Sequence, residues 1–300
     1  MMSWRWLWVF CLVGLGCAAP ARLADLESKA VALNDSGYQY YRESRWNLAQ
    51  EKFTQALALN RLIDRRDGIA ANLNNLGVIS QEQGNLTQAL DFFQEALAIH
   101  RELGDPEGLS ETLNNLGTVY QAQGRLHEAQ EAYQEALSWA RLVPPGPLLA
   151  LSLTHLGDVA RARGAFSGAL AFYHEALEID EAKKDRRGRA VRWERLGRIL
   201  VDLQEFARAG AYLRDALGEF RRLEDTNGIV DALKDLTRLA LAQGDRQGAL
   251  TYGERLLKIY QARGQDKEAK RLEATLKIGG GGQGSQTHLK SSPKPSPPTP

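Results

Sequence analysis

Few residues of this 300-residue chain are equipped for chemistry, and their spacing narrows what that chemistry can be. Histidine stands at His100, His127, His155, His174 and His288, and none belongs to a metal-binding string of the His-Glu-x-x-His kind. Cysteine occurs only at Cys11 and Cys17, so everything after them lacks a thiol for catalysis or ligation. The strings that build a nucleophile elbow or cradle a phosphate do not occur. A non-enzymatic chain that needs no metal and no cofactor is the expectation. What remains are side chains suited to recognition. Asparagine recurs at Asn34, Asn74 and Asn114, doubled by Asn75 and Asn115. A primary amide both donates and accepts, and can hold an extended peptide backbone or a neighbouring helix. Asparagine is a poor helix former, so its recurrence asks for one of these reasons.

The arginines form a second set. Residues 81–135 hold ten acidic and two basic side chains, whereas 183–198 hold eight basic and two acidic. Arg192, Arg195 and Arg198 are spaced by three and fall on one helical stripe. Guanidinium groups bind carboxylates through paired hydrogen bonds, so Arg195 and Arg198, with Arg161 and Arg238, suit an acidic segment of a partner. The plainer alternative is that they pair internally with Glu194, Asp202 and Asp235. With a net charge of +1, no global field favours nucleic acid.

These residues are placed by a repeat. Leu76-Gly77, Leu116-Gly117, Leu156-Gly157 and Leu196-Gly197 recur every 40 residues, and the phase extends to Ser36-Gly37 and Leu236-Thr237. Alanine keeps the phase at Ala49, Ala89, Ala129, Ala169, Ala209 and Ala249. Four residues on come Phe53, Phe93, Tyr133 and Tyr173, decaying to Leu213 and Gly253. Spacings of three and four put small and large side chains on one helical face, where two helices can interdigitate. Gly84, Gly124, Gly164 and Gly244 suit the left-handed end of a helix. A second set of breakers between repeats comprises Gly68, Gly108, Gly188, Gly228 and the Pro144–Pro147 run. Each unit reads as helix, turn, helix, turn, and the fold class is all-α. Trp193 replaces the leucines at 33, 73, 113, 153 and 233 and is expected in the core.

Leu73, Leu76, Gly77, Ala89, Phe93 and Ala96, and in the next unit Leu113, Leu116, Gly117, Tyr120, Ala129, Tyr133 and Ala136, resemble the tetratricopeptide repeat pattern. The usual period of that family is about 34 residues. The period here and the Asn-Asn-Leu-Gly strings are most similar to its long-repeat subclass, found in kinesin light chains and Pins-type adaptors. The resemblance covers roughly residues 25–263. It implies a right-handed superhelical solenoid of about six helix pairs with a concave groove lined by the first helix of each pair. It also implies that Asn34, Asn74, Asn75, Asn114, Asn115, His155, Arg161, Arg195, Arg198 and Arg238 face that groove and bind a protein or peptide. Such arrays serve as adaptors and assembly factors; a small-ligand sensor pocket or a homo-oligomeric scaffold are the other uses open to it.

The two ends differ in composition. Arg5, an apolar stretch from Trp6 to Leu15 and the small residues after it make a secretory signal. Gly16-Cys17 resembles a bacterial lipoprotein signal, with Cys17 as the lipidated mature N-terminus, although Gly14 stands where that signal has Leu or Val. Ordinary cleavage after Ala21 and an uncleaved anchor are the alternatives. The expected location is a bacterial cell envelope, lipid-anchored, with a periplasmic or secreted protein as the alternative. The expected organisation is a signal at 1–21, the repeat array at 22–263, a capping helix at 264–278 and a disordered Gly/Ser/Pro tail at 279–300.

Overall fold

The computed structural model describes residues 18–278, and within them thirteen helices and no strand. Cys17 and the signal and tail segments lie outside the described residues. The chain divides into two compact units, Met1–Lys184 and Asp185–Pro300. The first holds α1 (Ala18–Arg42), α2 (Trp46–Leu62), α3 (Arg66–Glu82), α4 (Leu86–Leu103), α5 (Pro106–Ala122), α6 (Leu126–Ala140), α7 (Pro147–Ala162) and α8 (Phe166–Lys183). The second holds α9 (Arg186–Asp202), α10 (Phe206–Arg222), α11 (Thr226–Ala242), α12 (Arg246–Ala262) and α13 (Asp266–Ile278). Consecutive helices pair in sequence, α1 with α2, α3 with α4, and so on, giving an all-α solenoid in each unit.

The turns keep a finer beat than the repeat. Left-handed residues fall at Ser44, Asp64, Gly84, Gly104, Gly124, Gly164, Lys184, Gln204, Glu224, Gly244 and Gly264, so one helix and its turn occupy twenty residues. Only the 144 position breaks the series, where Pro144 and Pro145 fill the turn. Glycine takes the left-handed conformation without cost, and Ser44 and Gln204 show that the turn does not demand it.

The inter-repeat glycines sit elsewhere than the sequence predicts. Gly68, Gly108, Gly188 and Gly228 lie inside the first turn of α3, α5, α9 and α11 rather than in the turns before them. For Gly68, Gly108 and Gly228 the reason is close approach, not backbone freedom. A Cβ on Gly108 would lie 2.1 Å from the His100 ring, and one on Gly228 would lie 2.3 Å from Phe220. Asp105, Asp185 and Asp225 cap three of these helices by accepting from the backbone N–H of Gly108, Gly188 and Gly228.

The Leu-Gly glycines make a second set of close contacts. Each lies where its own Cβ would strike the ring of the second helix in the pair: Gly37 on Phe53, Gly77 on Phe93, Gly117 on Tyr133 and Gly157 on Tyr173, all at 2.5 Å or less. These four rings are almost wholly buried. Around them Ala49, Leu73, Leu76 and Ile79 join one pair to the next, and Ala129, Leu153, Leu156 and Val159 do the same further on. Trp193 departs from expectation. It is only half-buried, and the Arg189 guanidinium lies 4.8 Å from its ring centroid. An indole exceeds the space a leucine fills, so part of the ring stays outside and is covered by a cation.

Gly117→Ala is expected to displace Tyr133 and lower the unfolding free energy by about 1–3 kcal/mol through overpacking. Urea unfolding followed by circular dichroism measures it; a variant as stable as wild type removes Gly117 from the packed contact.

Candidate functional site

Within each unit the first helix of each pair forms one row and the second helix another. In unit 1 neighbouring first helices touch, α3 against α5 and α5 against α7. The second helices are bridged instead by long side chains: Arg61 to Glu95 at 2.7 Å, Arg101 to Glu135 at 3.0 Å and Arg141 to Glu175 at 3.3 Å. The closer-spaced row is the inner one, and the asparagines belong to it.

Their amides form a ladder between adjacent first helices. Asn34 Oδ1 accepts from Asn72 Nδ2 at 2.8 Å and from Asn75 Nδ2 at 3.2 Å, while Asn75 Oδ1 accepts from the Tyr38 hydroxyl at 3.0 Å. One repeat on, Asn115 Nδ2 donates to Asn74 Oδ1 at 3.0 Å, and Asn74 Nδ2 donates to Glu111 at 3.0 Å. Asn114 Nδ2 donates to the Ser152 hydroxyl at 2.8 Å. Asn74, Asn75 and Asn114 are buried, and Asn34 and Asn115 partly so. Of the two roles open to these amides, this geometry supplies bracing. The bracing is thermodynamically apt, because a buried amide without partners costs more than the bond itself returns.

Several partners in these bonds, namely Asn72, Gln81, Glu111 and Ser152, were not marked by sequence reading. A signal for them existed in the spacing. Tyr38 to Asn75, Asn74 to Glu111 and Gln81 to Thr118 are each separated by 37, and Asn34 to Asn75 and Asn74 to Asn115 by 41. One period of 40 less three, or plus one, is the offset at which parallel helices of adjacent repeats face each other.

The inner face of α7 carries His155 and Asp158. The His155 ring stacks on Tyr133 at 4.6 Å with the planes 9° apart, and Asp158 accepts from the Tyr173 hydroxyl at 2.8 Å. Arg161 lies one turn on and is partly buried.

In unit 2 the arginines meet carboxylates. Arg195 donates to Glu194 at 2.8 Å, and Arg198 bridges Glu194 and Asp235, its Nε standing 3.0 Å from the latter. Arg238 donates to Asp202 at 3.1 Å and to the Arg198 carbonyl at 3.0 Å. The rest of the basic run behaves alike: Arg186 pairs with the buried Glu219 and Arg187 with Asp225. The internal pairing set out as the alternative is therefore what the arrangement shows. Burial, and then a hydrogen bond with Asp235, push the Glu194 carboxyl up to about 8 against the opposing pull of Arg195 and Arg198. At Asp235 burial raises the carboxyl, but the bond from Glu194 and the charges of Arg198 and Arg238 outweigh it and hold the group low. Glu194 thus keeps a proton that it shares with Asp235.

The folded state binds at Glu194 a proton that an unfolded chain releases near the ordinary carboxylate range. Stability from this group is present at acid pH and falls as pH rises from about 5 through about 8. Glu194→Gln should flatten that slope in urea unfolding measured across this range, and a slope unchanged by the substitution refutes the shared proton.

The tetratricopeptide repeat model matches residues 28–102 and 108–182, half of the chain. No curated protein matches the sequence. Solved structures share its fold. BtubC from P. vanneervenii superposes with a TM-score of 0.55 at 21% identity, covering 91% of this chain and 99% of its own. PilF of Pseudomonas aeruginosa gives 0.56 at 21%, covering 84% and 99%. The apo form of RapI gives 0.65 at 15%, covering 86% and 90%. With glycine set against an aromatic ring in each of the first four helix pairs and the family pattern matched across two stretches, the chain belongs to the tetratricopeptide repeat family.

Proposed function

We propose that this protein is an exported, lipid-anchored adaptor or assembly factor that holds an extended polypeptide against the inner helix row of residues 18–184. The observation that carries the reading is the character of that row where it meets solvent. Val31 is 45% and Tyr38 43% exposed, although both are large and apolar, and they follow one another along α1. Half-buried Val78 stands at the same repeat position as Tyr38, and exposed Glu111 and half-buried Thr118 follow on α5. An exposed apolar start followed by polar groups suits an extended chain that needs an anchor and then hydrogen bonds. Contact through the ladder amides would require their bracing bonds to open, so recognition falls to the side chains flanking them.

An acidic partner segment is less well supported. Glu194, Asp202 and Asp235 already engage Arg195, Arg198 and Arg238, and an incoming carboxylate would have to displace them. Val31→Glu combined with Tyr38→Ala should weaken a polypeptide captured by the native protein by at least about tenfold, a loss typical of an anchor. Arg101→Ala on the outer row should leave its affinity alone. Calorimetry of the three proteins decides; undiminished binding by the double variant, with helicity retained, moves the binding surface elsewhere.

The envelope location rests on the opening residues, from Arg5 to the Gly16-Cys17 pair. One acyl chain binds a membrane only reversibly, whereas the multiple chains of a lipidated terminal cysteine hold a protein at the surface. Cys17→Ser is expected to abolish labelling by a fatty-acid probe and to shift the protein into the soluble fraction. An intact mass for the mature wild-type chain that begins at Arg22 replaces lipidation with ordinary cleavage.

A further inference from the structure

The last helix pair breaks the packing rule of the others, and the break leaves a cleft. In the pairs before it, glycine on the first helix receives a large side chain from the second, as Gly77 receives Phe93 and Gly197 receives Leu213. In α11 and α12 the small residue has changed sides. Thr237 stands at the glycine position and Gly253 at the aromatic position. The large side chain that fills this level in the other pairs, a ring in the first four and Leu213 in the fifth, is gone. Leu276 of α13 moves over Gly253, where a Cβ would lie 2.7 Å from Leu276 Cδ1. α13 accordingly packs on α12, and a cavity of about 320 Å³ remains between it and α11. Thr237, Leu241, Leu256, Tyr260 and Leu272 supply its walls.

Its rim is cationic. Lys234 and Arg271 are separated by 37, the offset at which Asn74 donates to Glu111 in unit 1. Where that pair makes a hydrogen bond, this one sets two cations on opposite sides of the opening, so the helices are not drawn together there. Arg271 has no carboxylate partner among the described residues, and Lys234 pairs with Asp231 at 3.0 Å on a half-exposed edge and with the Tyr260 hydroxyl. Burial lowers the Lys234 ammonium, but Asp231 and Tyr260 outweigh it and keep the group charged. Arg238 adds a third cation, already engaged by Asp202, against the single carboxylate of Glu268.

We propose that this cleft binds an aliphatic chain carrying one anionic head, and we assign it a free medium-chain carboxylate. The chain would lie along Leu241, Leu256 and Leu272. The head would sit between Lys234 and Arg271, accept from both, and relieve their repulsion. Apolar walls with few convergent polar groups are the usual form of a small-molecule site. The site is independent of the polypeptide-binding reading, since it uses none of the inner-row residues of α1 to α8.

The test is calorimetry of full-length protein with dodecanoate below its micelle concentration, with hydrogen exchange along α13. Dodecanoate should bind and protect the α13 amides, whereas dodecanol and dodecyltrimethylammonium should bind at least about tenfold more weakly, or about 1.4 kcal/mol. Arg271→Glu should place a carboxylate opposite Lys234, keep or raise the melting temperature, and weaken dodecanoate by tenfold or more. Leu272→Trp, which fills the cleft from a helix face already partly open, should abolish binding. The proposal is overturned by dodecanoate giving neither heat nor protection, by equal affinity for the cationic amphiphile, or by wild-type binding in both variants. It is overturned equally by light scattering that shows a dimer dissociated by Arg271→Glu, since the cleft would then be a contact between copies.

Discussion

The contact between a glycine on one helix and a ring on the next is the constraint on which the remaining geometry rests. It lets two helices approach until no side chain separates them at that level, and it buries Phe53, Phe93, Tyr133 and Tyr173 almost completely. Burying an aromatic side chain of this size is the largest apolar gain available to a single residue, and close packing makes the gain sensitive to one added carbon. Alanines at the flanking positions extend the same close approach along the pair. The ring gives way to Leu213 opposite Gly197, and in the last pair Thr237 and Gly253 exchange the small and large positions while Leu276 of α13 covers Gly253.

Polar chemistry along the array follows from stacking rather than from a separate site. First helices of adjacent repeats lie side by side, and a buried polar group between them must find a partner there. The asparagine amides, Tyr38, Glu111 and Ser152 hydrogen-bond one another across repeats, leaving Asn114 Oδ1 unpartnered, and Arg61, Arg101 and Arg141 tie the outer row at a constant separation of 34. The outer pairs are exposed and each contributes little to stability. The inner amide ladder is the more consequential of the two, because desolvated groups there have no water to turn to.

The second unit carries its charge differently. Its arginines are matched to carboxylates within the unit, and Glu194 and Glu219 sit almost fully buried among them. Such clusters stabilise weakly relative to apolar packing but are costly to break, since removing one member leaves its partner buried and unmatched. What reads along the sequence as a basic stretch is, in space, largely hydrogen-bonded to carboxyl groups of the same unit. The cationic rim of the cleft at α13 stands apart from this pattern, because Arg271 has no carboxylate partner among the described residues.

The sequence by itself determined the fold class, the period, the left-handed turns at Gly84, Gly124, Gly164 and Gly244, and the face of each helix that would be buried. These are consequences of local periodicity and backbone sterics, which one repeat contains in full. Tertiary structure decided the rest. Gly68, Gly108 and Gly228 looked like breakers, yet they lie inside helices because Asn60, His100 and Phe220 press against them. Trp193 looked like core, yet it is half-buried, because the space allotted to a leucine does not admit an indole. The asparagines and arginines carried two readings each, and only the distances between neighbouring helices showed that they hydrogen-bond within the protein. That outcome was hidden because a hydrogen bond between repeats depends on how two helices are turned toward each other, a quantity set by packing across some forty residues of chain and written in no single one of them.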